Sequence, residues 1–339
     1  MKELLKELCL INGISGDETD VRENIISKIS GYCDYRVDNL GNLICFCKGR
    51  KLSNKKLMIC AHMDEVGFIV TYIKNDGTLC FGEVGGIDTS VIIGRQVTVG
   101  KNKISGVIGS TAVHNLSKSD REVPPKTESL YIDIGADSKE EAEKYVKLGD
   151  SVCFDSEFIE LGGNCVKSKA IDDRAGCAMM IELIRKKPEY DTYYVFNAQE
   201  EIGLRGSRVS AFSVAPDFAI VLEATTAGDI DGVSGSKKVC SLEKGAVVGF
   251  MDRSTVYDKG LYNLAFETAE KLNIPCQTKT MIAGGNDSGA IHISRGGVRT
   301  IAVSVPCRYL HSPSCVINLN DLDSSLNLIR ELAKKVHEL

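Results

Sequence analysis

Five residues that lie far apart in the chain have side chains suited to binding divalent metal ions: His62, Asp172, Glu201, Glu223 and His311. The pattern around each one places it at a strand end or in a tight loop. Two neutral imidazoles and three carboxylates can hold two borderline-hard divalent ions if one carboxylate is shared between them. Such a pair of ions makes water a nucleophile at neutral pH. The residue types therefore predict a dinuclear metal site.

Three of these groups are expected to meet at one edge of a sheet. His62 follows a short apolar run, Glu201 follows the strand predicted from YYVFNAQ, and Glu223 ends the apolar run DFAIVL. In a parallel α/β sheet, functional groups gather beyond the carboxyl ends of the strands. Asp64 is two residues after His62, so both would share one face of a continuing strand. The Asp64 carboxylate could then hold the free ring nitrogen of the imidazole.

Each group alone also has a structural interpretation. A lone His-x-Asp pair is more often a histidine held at a strand end. Asp172 and Asp173 precede a predicted helix, where acidic residues commonly cap the first turn and complement its dipole. Glu200 and Glu201 could form a solvated acidic loop, and His311 lies in a loop before a proline. The combination of all of these groups is far more specific than any single residue.

The elements that must position these residues alternate between strand and helix over most of the chain. After two predicted N-terminal helices and a hairpin with its turn at 39–42, apolar strands alternate with amphipathic helices. This order predicts an α/β fold, similar to phosphorylase and hydrolase folds, whose mostly parallel sheet is sandwiched by helices. Short β-rich runs separated by Gly, Asn and Asp are typical of a small barrel-like domain. We therefore predict a discontinuous catalytic domain over 1–70 and 162–339, interrupted by such a β-rich insert over 71–161.

The composition is that of an ordinary globular chain of 339 residues, with a formal net charge of −5. This charge argues against nucleic acid as the main partner, because phosphate binding needs clustered Lys and Arg. No apolar run approaches the ~20 residues that span a bilayer, so no membrane partner is predicted. The N-terminal leucines are at helical spacing, unlike the uninterrupted apolar core of a signal peptide. The thirteen cysteines show no Cys-x-x-Cys spacing and indicate buried thiols in a reducing cytoplasm.

Several motifs, taken together, resemble those of the tetrahedral (glutamyl-type) aminopeptidases, metallopeptidase family 42. The resemblance covers nearly the whole chain in the same order, with the same large insert after the His-x-Asp motif. Such a co-linear set is not expected by chance. The motifs are GISGDE (13–18), DNLGN (38–42), AHMDEVGF (61–68), KAIDDRAG (169–176), AQEEIGLRGS (198–207), EATTAGD (223–229), GGNDSGAIH (284–292) and RYLHSP (308–313).

The resemblance implies which residues would hold each of two divalent metal ions. His62, Asp172 and Glu223 would bind one ion. Asp172, Glu201 and His311 would bind the other, so that Asp172 would bridge the two. Zinc is the expected metal, with cobalt or manganese as alternatives, because imidazole and carboxylate ligands accept all three.

The resemblance also implies roles in catalysis and substrate binding. Glu200 would be the general base, and Asp64 would be the partner that orients His62. The peptide bond between Asp172 and Asp173 would be cis. The Gly-rich loop before a helix would line the pocket for the substrate side chain through Gly284, Gly285, Asp287 and Gly289.

The implied activity is that of an aminopeptidase, which removes N-terminal residues from short peptides by attack of metal-activated water. The β-rich insert would resemble the family's dimerisation domain, from which homo-oligomeric particles of twelve subunits are built. One departure concerns Glu223, where the family often has Asp. The additional methylene moves the carboxylate outward by roughly 1.3 Å on standard bond geometry. The preferred N-terminal residue of the substrate is therefore left open.

Three other functions share parts of this pattern. The same metal site could serve a carboxypeptidase or an N-deacylase, which would cleave blocked substrates rather than those with a free amine. A glycosidase built on Glu200 and Glu201 is disfavoured, because adjacent residues do not readily stand ~5.5 or ~6.5–9.5 Å apart across a sugar. The chain also has no tryptophan for sugar stacking. A non-enzymatic scaffold with a decayed site is disfavoured, because every liganding position still holds a competent ligand.

Overall fold

Seventeen β-strands and eight α-helices, numbered in chain order, make up the structure, a computed structural model that describes all 339 residues. The strands are β1 Asp34–Val37, β2 Leu43–Cys47, β3 Leu57–His62, β4 Gly67–Ile73, β5 Leu79–Val84, β6 Gln96–Val99, β7 Ile104–Gly109, β8 Tyr131–Asp133, β9 Ser151–Phe154, β10 Ile159–Glu160, β11 Cys165–Ser168, β12 Thr192–Asn197, β13 Phe218–Thr226, β14 Ala246–Val248, β15 Cys276–Thr278, β16 Arg299–Cys307 and β17 Cys315–Asn318. The helices are α1 Lys2–Cys9, α2 Thr19–Ile29, α3 Lys139–Ala142, α4 Ile171–Arg185, α5 Arg205–Val214, α6 Lys259–Leu272, α7 Ser288–Ile291 and α8 Leu319–Lys335. None of these helices combines the length and the apolar character needed to cross a membrane.

The larger part of the fold is built around an eight-stranded sheet in the order β1-β2-β12-β3-β13-β16-β14-β15. Its centre is parallel, because β3 pairs with β12 and β13, and β13 pairs with β16. Antiparallel pairings involve β1, β2 and β14 toward the edges. Helices cover both faces, with α4 and α8 on one side and α5 and α7 on the other. The predicted α/β fold with a mostly parallel sheet between helices is confirmed.

Alternate residues of the central strands are buried on opposite faces of this sheet. In β3, Ile59 and Ala61 pack into the large core beneath α1, α2, α4, α6 and α8. Met58 and Cys60 instead pack against α5 and α7. This two-sided burial explains why the strand is a continuous apolar run without alternation. His62 continues β3 and therefore points to the same face as Met58 and Cys60.

The smaller part of the fold is a closed antiparallel barrel of β4, β5, β8, β7, β6 and β9. It has its own apolar core, in which the ring of Phe68 meets those of Phe81 and Phe154 edge to face, with centroids 4.9 and 5.4 Å apart. The prediction of a small barrel-like β-rich part is confirmed. Its strands run from Gly67 to Phe154, and the exact division of the chain into domains stays a prediction.

Two local predictions next to the candidate site have different outcomes. The hairpin with its turn at 39–42 is confirmed, since β1 and β2 pair antiparallel on either side of it. The prediction that Glu223 ends its strand was wrong. β13 continues to Thr226, because it remains paired with β16 as far as Cys307. Glu223 is therefore presented from within a strand rather than from a loop.

Candidate metal centre

His62 and Glu223 lie side by side on neighbouring parallel strands. His62 is the last residue of β3, and Glu223 lies within β13. Cys60 pairs with Val221, which brings His62 level with Glu223 two residues further along. The Nε2 atom of His62 is 3.8 Å from Oε2 of Glu223, and both side chains are buried. Because side chains alternate between the two faces of a strand, the imidazole of His62 and the carboxylate of Glu223 point into the same space.

Asp172 lies between the two histidines predicted to be ligands. It is at the start of α4, and its peptide bond to Asp173 is cis, as the resemblance implies. The Oδ1 atom of Asp172 is 3.3 Å from Nε2 of His62, and Oδ2 is 3.5 Å from Nε2 of His311. The two oxygens of one carboxylate therefore face two different imidazoles. This arrangement suits a carboxylate shared between two cations.

His311 and Glu201 form the other side of the centre. The Nε2 atom of His311 is 3.4 Å from Oε1 of Glu201. The other ring nitrogen, Nδ1, is 2.8 Å from the carbonyl oxygen of Gly86, which lies in the loop between β5 and β6. A barrel loop therefore orients the imidazole and leaves Nε2 available as a ligand. This contact was not predicted from the sequence, in which the Gly-Gly pair at 85–86 was the only local signal for it.

Asp64 holds the turn that carries Glu200 and Glu201. Its Oδ1 accepts a hydrogen bond from the backbone N–H of Glu200 at 3.0 Å, and its Oδ2 accepts one from that of Glu201 at 3.1 Å. The Ser15 hydroxyl also donates to Oδ2, at 2.6 Å. Nδ1 of His62 is 3.0 Å from the backbone carbonyl oxygen of Asp64 and 3.5 Å from its carboxylate. Asp64 thus contacts both an imidazole and the acidic turn.

The charged groups of the centre perturb one another strongly. Burial alone would lower the pKa of His62, but the Asp172 and Asp64 carboxylates outweigh it and raise that pKa well above its ordinary value. Burial likewise opposes protonation of His311, yet Asp172 and Glu201 raise its pKa to about 10. Burial would raise the pKa of Asp172, but the neighbouring His311 and His62 imidazoles hold it below its usual range.

The other carboxyl groups are shifted in the opposite direction. Burial, together with the charge of Asp287, raises the pKa of Glu200 well above its ordinary value. Burial and the neighbouring Asp172 raise the pKa of Glu201 to about 7. Burial is also the main cause of the raised pKa of Glu223. Acidic groups outnumber the imidazoles, so these carboxyl groups cannot all ionise unless additional positive charge is bound nearby.

The unpaired oxygens of the centre fit bound cations. Oδ1 of Asp172, Oε1 of Glu223 and Oδ2 of Asp173 are buried and accept no hydrogen bond. Ligand atoms of His62, Asp172 and Glu201 all lie within 4.8 Å of one another, as do those of His62, Asp173 and Glu223. Buried carboxylates of this kind need a partner or a metal, and imidazole nitrogens beside them complete a donor set for divalent ions. Asp173 is an additional candidate ligand that the resemblance does not include.

A cavity of about 970 Å³ opens beside the centre. The residues predicted to hold metal or act as base reach its wall, except for His62, which is buried beneath. Several other lining residues were not predicted from the sequence, because they come from segments far apart in the chain: Ile230, Lys237, Lys279, Met281 and Tyr309. A cavity of this size beside convergent polar groups is the expected form of a substrate site.

The Gly-rich loop that is predicted to line the substrate pocket lines this cavity only in part. Gly284 and Gly285 line the cavity, whereas Asp287 and Gly289 do not. Asp287 is fully buried, and its Oδ2 accepts a hydrogen bond from the Asn197 side chain at 2.7 Å. Gly289 is the second residue of α7 and packs closely against Ser254. These two residues therefore support the wall from behind.

Comparison with known proteins gives consistent matches over the whole chain. Residues 41–328 match the M42 glutamyl aminopeptidase family. A relative from Acetivibrio thermocellus is 41% identical over 334 residues, covering 98% of each chain. A lysyl aminopeptidase from Pyrococcus furiosus is 32% identical over 344 residues, covering 98% of this chain and 97% of its own. The solved structure of the Pyrococcus horikoshii TET1 peptidase, which can assemble into a tetrahedron or a large octahedral shell, has a TM-score of 0.86 at 36% identity and 98% coverage of each chain.

These matches agree with the fold and with the order of the motifs along the chain. The resemblance inferred from those motifs is confirmed. The chain belongs to the M42 glutamyl aminopeptidase family and is a peptidase.

Proposed function

We propose that this enzyme removes N-terminal residues from peptides and that it does so with two divalent metal ions, zinc or alternatively cobalt or manganese. The observation that supports this most directly is the Asp172 carboxylate, 3.3 Å from Nε2 of His62 and 3.5 Å from Nε2 of His311. Glu223 would complete the ligands beside His62, and Glu201 those beside His311. A bound pair of ions would polarise the scissile carbonyl and make water a stronger nucleophile.

Glu200 is the proposed general base. It reaches the cavity wall from a turn whose backbone is held by Asp64. In the proposed reaction, the Glu200 carboxylate takes the proton of the attacking water and returns it to the leaving amine. A positioned base of this kind is worth about 10²–10⁴-fold in rate. Asp64 acts through Glu200 and is a positioning residue.

The free α-amine of the substrate would be held by Glu201 or Glu223. Both carboxylates reach the cavity, and the cluster around them holds more acidic groups than imidazoles. A protonated amine would therefore be attracted to this end of the cavity. Holding the amine there would restrict attack to the first peptide bond of the substrate. The substrate side chain would then extend along the wall formed by Gly284 and Gly285.

A panel of aminoacyl-anilides tests the proposal. The metal-free protein would be reloaded separately with zinc, cobalt or manganese and assayed on each anilide with a free and with an acetylated amine. We expect hydrolysis only after reloading and only with the free amine. Release of acetate from the acetylated substrates, rather than release of the aniline, would favour the N-deacylase alternative. Release of C-terminal residues from N-blocked peptides would favour the carboxypeptidase alternative.

We also propose that the barrel mediates dimerisation and that dimers assemble into a twelve-subunit particle. The tetrahedral assembly named for the Pyrococcus horikoshii peptidase supports this. Tyr72, Val113 and Val123 of the insert are exposed and would be covered by a partner subunit. Sedimentation velocity would measure the particle mass, and sedimentation as a monomer would contradict the proposal. The cytoplasmic location inferred from the cysteine content stays a proposal, which cell fractionation tests.

A further inference from the structure

A second cavity, of about 450 Å³, lies at the opposite edge of the central sheet from the candidate metal centre. It opens beyond the amino end of β12, between the carboxyl ends of α4 and α8. The metal centre lies beyond the carboxyl end of the same strand. At ~3.3 Å per residue, β12 separates the two cavities by roughly 20 Å. No lining residue is common to both.

Cationic side chains dominate the lining of this second cavity, although the whole chain has a net charge of −5. Glu189 is the only acidic residue that lines it, and it pairs with Lys51. Lys334 pairs with Glu331, which lies outside the lining. The remaining cations form no ion pair. The complete cationic set is Arg50, Lys51, Lys186, Lys187, Arg330 and Lys334.

Stabilisation of helix dipoles explains the positions of only some of these six cationic residues. Basic residues near the carboxyl end of a helix stabilise its dipole, which accounts for Lys186 and Lys187 after α4 and for Lys334 in the last turn of α8. It does not account for Arg50, which follows β2 and lies at no helix end. Nor does it account for Arg330, whose Nε is buried without an acceptor. A buried donor without a partner is destabilising, and an anion in the cavity is one way to supply an acceptor.

We propose that this cavity binds a small organic anion that bears phosphate groups. Guanidinium groups offer paired donors that match phosphate oxygens, and lysines add point charges around them. The volume falls within the range of small-molecule sites and exceeds the need of a single inorganic ion. Leu183, Ala333 and the ring of Tyr190 add apolar surface for the carbon part of such a molecule. The ligand class is thus a phosphate ester of a small metabolite.

Isothermal titration of the metal-loaded enzyme with fructose bisphosphate, at constant ionic strength, tests the proposal. The informative variant is Lys186→Gln/Lys187→Gln, because both lysines are exposed and form no ion pair. Lys101→Gln/Lys103→Gln is the matched control. It removes two exposed lysines from the barrel, and Lys103 shares the positive φ of Lys187. Inorganic phosphate and the tricarboxylate tricarballylate are titrated in parallel, to separate the ester from the free ion and from carboxylates.

We expect one fructose bisphosphate per chain in the wild type and in the control variant, with affinity about tenfold lower in Lys186→Gln/Lys187→Gln. Inorganic phosphate and tricarballylate should bind more weakly than the ester. Equal affinity in both double variants would overturn the proposal, because the anion would then bind elsewhere, for example at the metal centre. Absence of binding to the wild type, or equally tight binding of tricarballylate, would also overturn it. If the double variant does not fold, Arg50→Gln provides the same comparison.

Discussion

The Oδ2 atom of Asp64 accepts a hydrogen bond from the backbone N–H of Glu201 at 3.1 Å. Its Oδ1 accepts one from the N–H of Glu200 at 3.0 Å, so a single buried side chain fixes two consecutive peptide groups. The preceding residue, Gln199, has a φ of 57° and donates its N–H to Glu18 at 3.0 Å. The acidic turn is therefore held in place by carboxylates from distant parts of the chain.

Replacing Asp64 by asparagine should slow catalysis without removing the metal ions. The amide offers one oxygen where the carboxylate offered two, so one backbone N–H of the turn loses its acceptor. We expect kcat to fall about 10²-fold, because Glu200 is displaced. Metal content should persist, since His62 keeps its contact with the Asp64 carbonyl.

Ser15→Ala is the matched control for that variant. It removes the hydroxyl donor to Oδ2 but keeps both backbone hydrogen bonds to Asp64. Its kcat should change only a few-fold, because both backbone N–H groups of the turn keep their acceptors. Similar losses of kcat in both variants would argue against Asp64 as the residue that positions the turn.

Replacing Glu200 by glutamine tests the proposed base. The side chain keeps its size but can no longer accept a proton. We expect kcat to fall by about 10²–10⁴-fold, while elemental analysis finds the same metal content as in the wild type. A variant that keeps more than about a tenth of the wild-type kcat would rule out Glu200 as the base.

The two proposed histidine ligands can be tested by metal analysis. His62→Ala and His311→Ala each remove an imidazole that faces Asp172. Each variant should bind at most one metal ion per chain instead of two and should be inactive. His114→Ala, an exposed histidine of the insert, is the control and should keep both ions. If His62→Ala kept two metal ions per chain, His62 would not be a metal ligand.

A buried ion pair beside the centre should contribute strongly to stability. The Nζ atom of Lys169 is 2.6 Å from Oε1 of Glu65, and both side chains are at most 3% exposed. Lys169→Met leaves that carboxylate with only the backbone N–H of Gly13 and the more distant Arg174, so we expect a loss of about 3 kcal/mol in urea unfolding. Lys2→Met breaks an exposed pair with Glu160 and should change stability little. Equal losses of unfolding free energy in the two variants would contradict the claim that burial makes the Lys169–Glu65 pair the more stabilising one.

The meeting of His62 and Glu223 shows what the sequence can predict. Both follow apolar runs, and such runs form parallel strands buried on both faces. Parallel strands bring their carboxyl ends to one edge, so the two side chains were expected to be neighbours. The same pattern predicts the order of strands and helices along the chain. It also predicts that the insert consists mainly of short strands. These inferences need only hydrophobic periodicity and the direction of the strands.

Other features of the site depend on contacts that no local pattern encodes. The carbonyl of Gly86 reaches His311 from the barrel, over more than two hundred residues of chain. Asp64 faces His62 as expected, with its carboxylate 3.5 Å from Nδ1, but the same carboxylate also accepts hydrogen bonds from two peptide groups of a turn, which was not expected. Asp287 was expected to line the substrate pocket, but Asn197 holds it behind the wall. In each case the partner is fixed by tertiary packing and not by neighbours in the sequence.

The central claim is that Asp172 bridges two metal ions, and anomalous diffraction from zinc-loaded crystals tests it most directly. We predict two zinc peaks per chain on either side of the Asp172 carboxylate. One peak should contact His62 and Glu223, and the other should contact His311 and Glu201. A single peak, or two peaks that do not share Asp172, would contradict the claim.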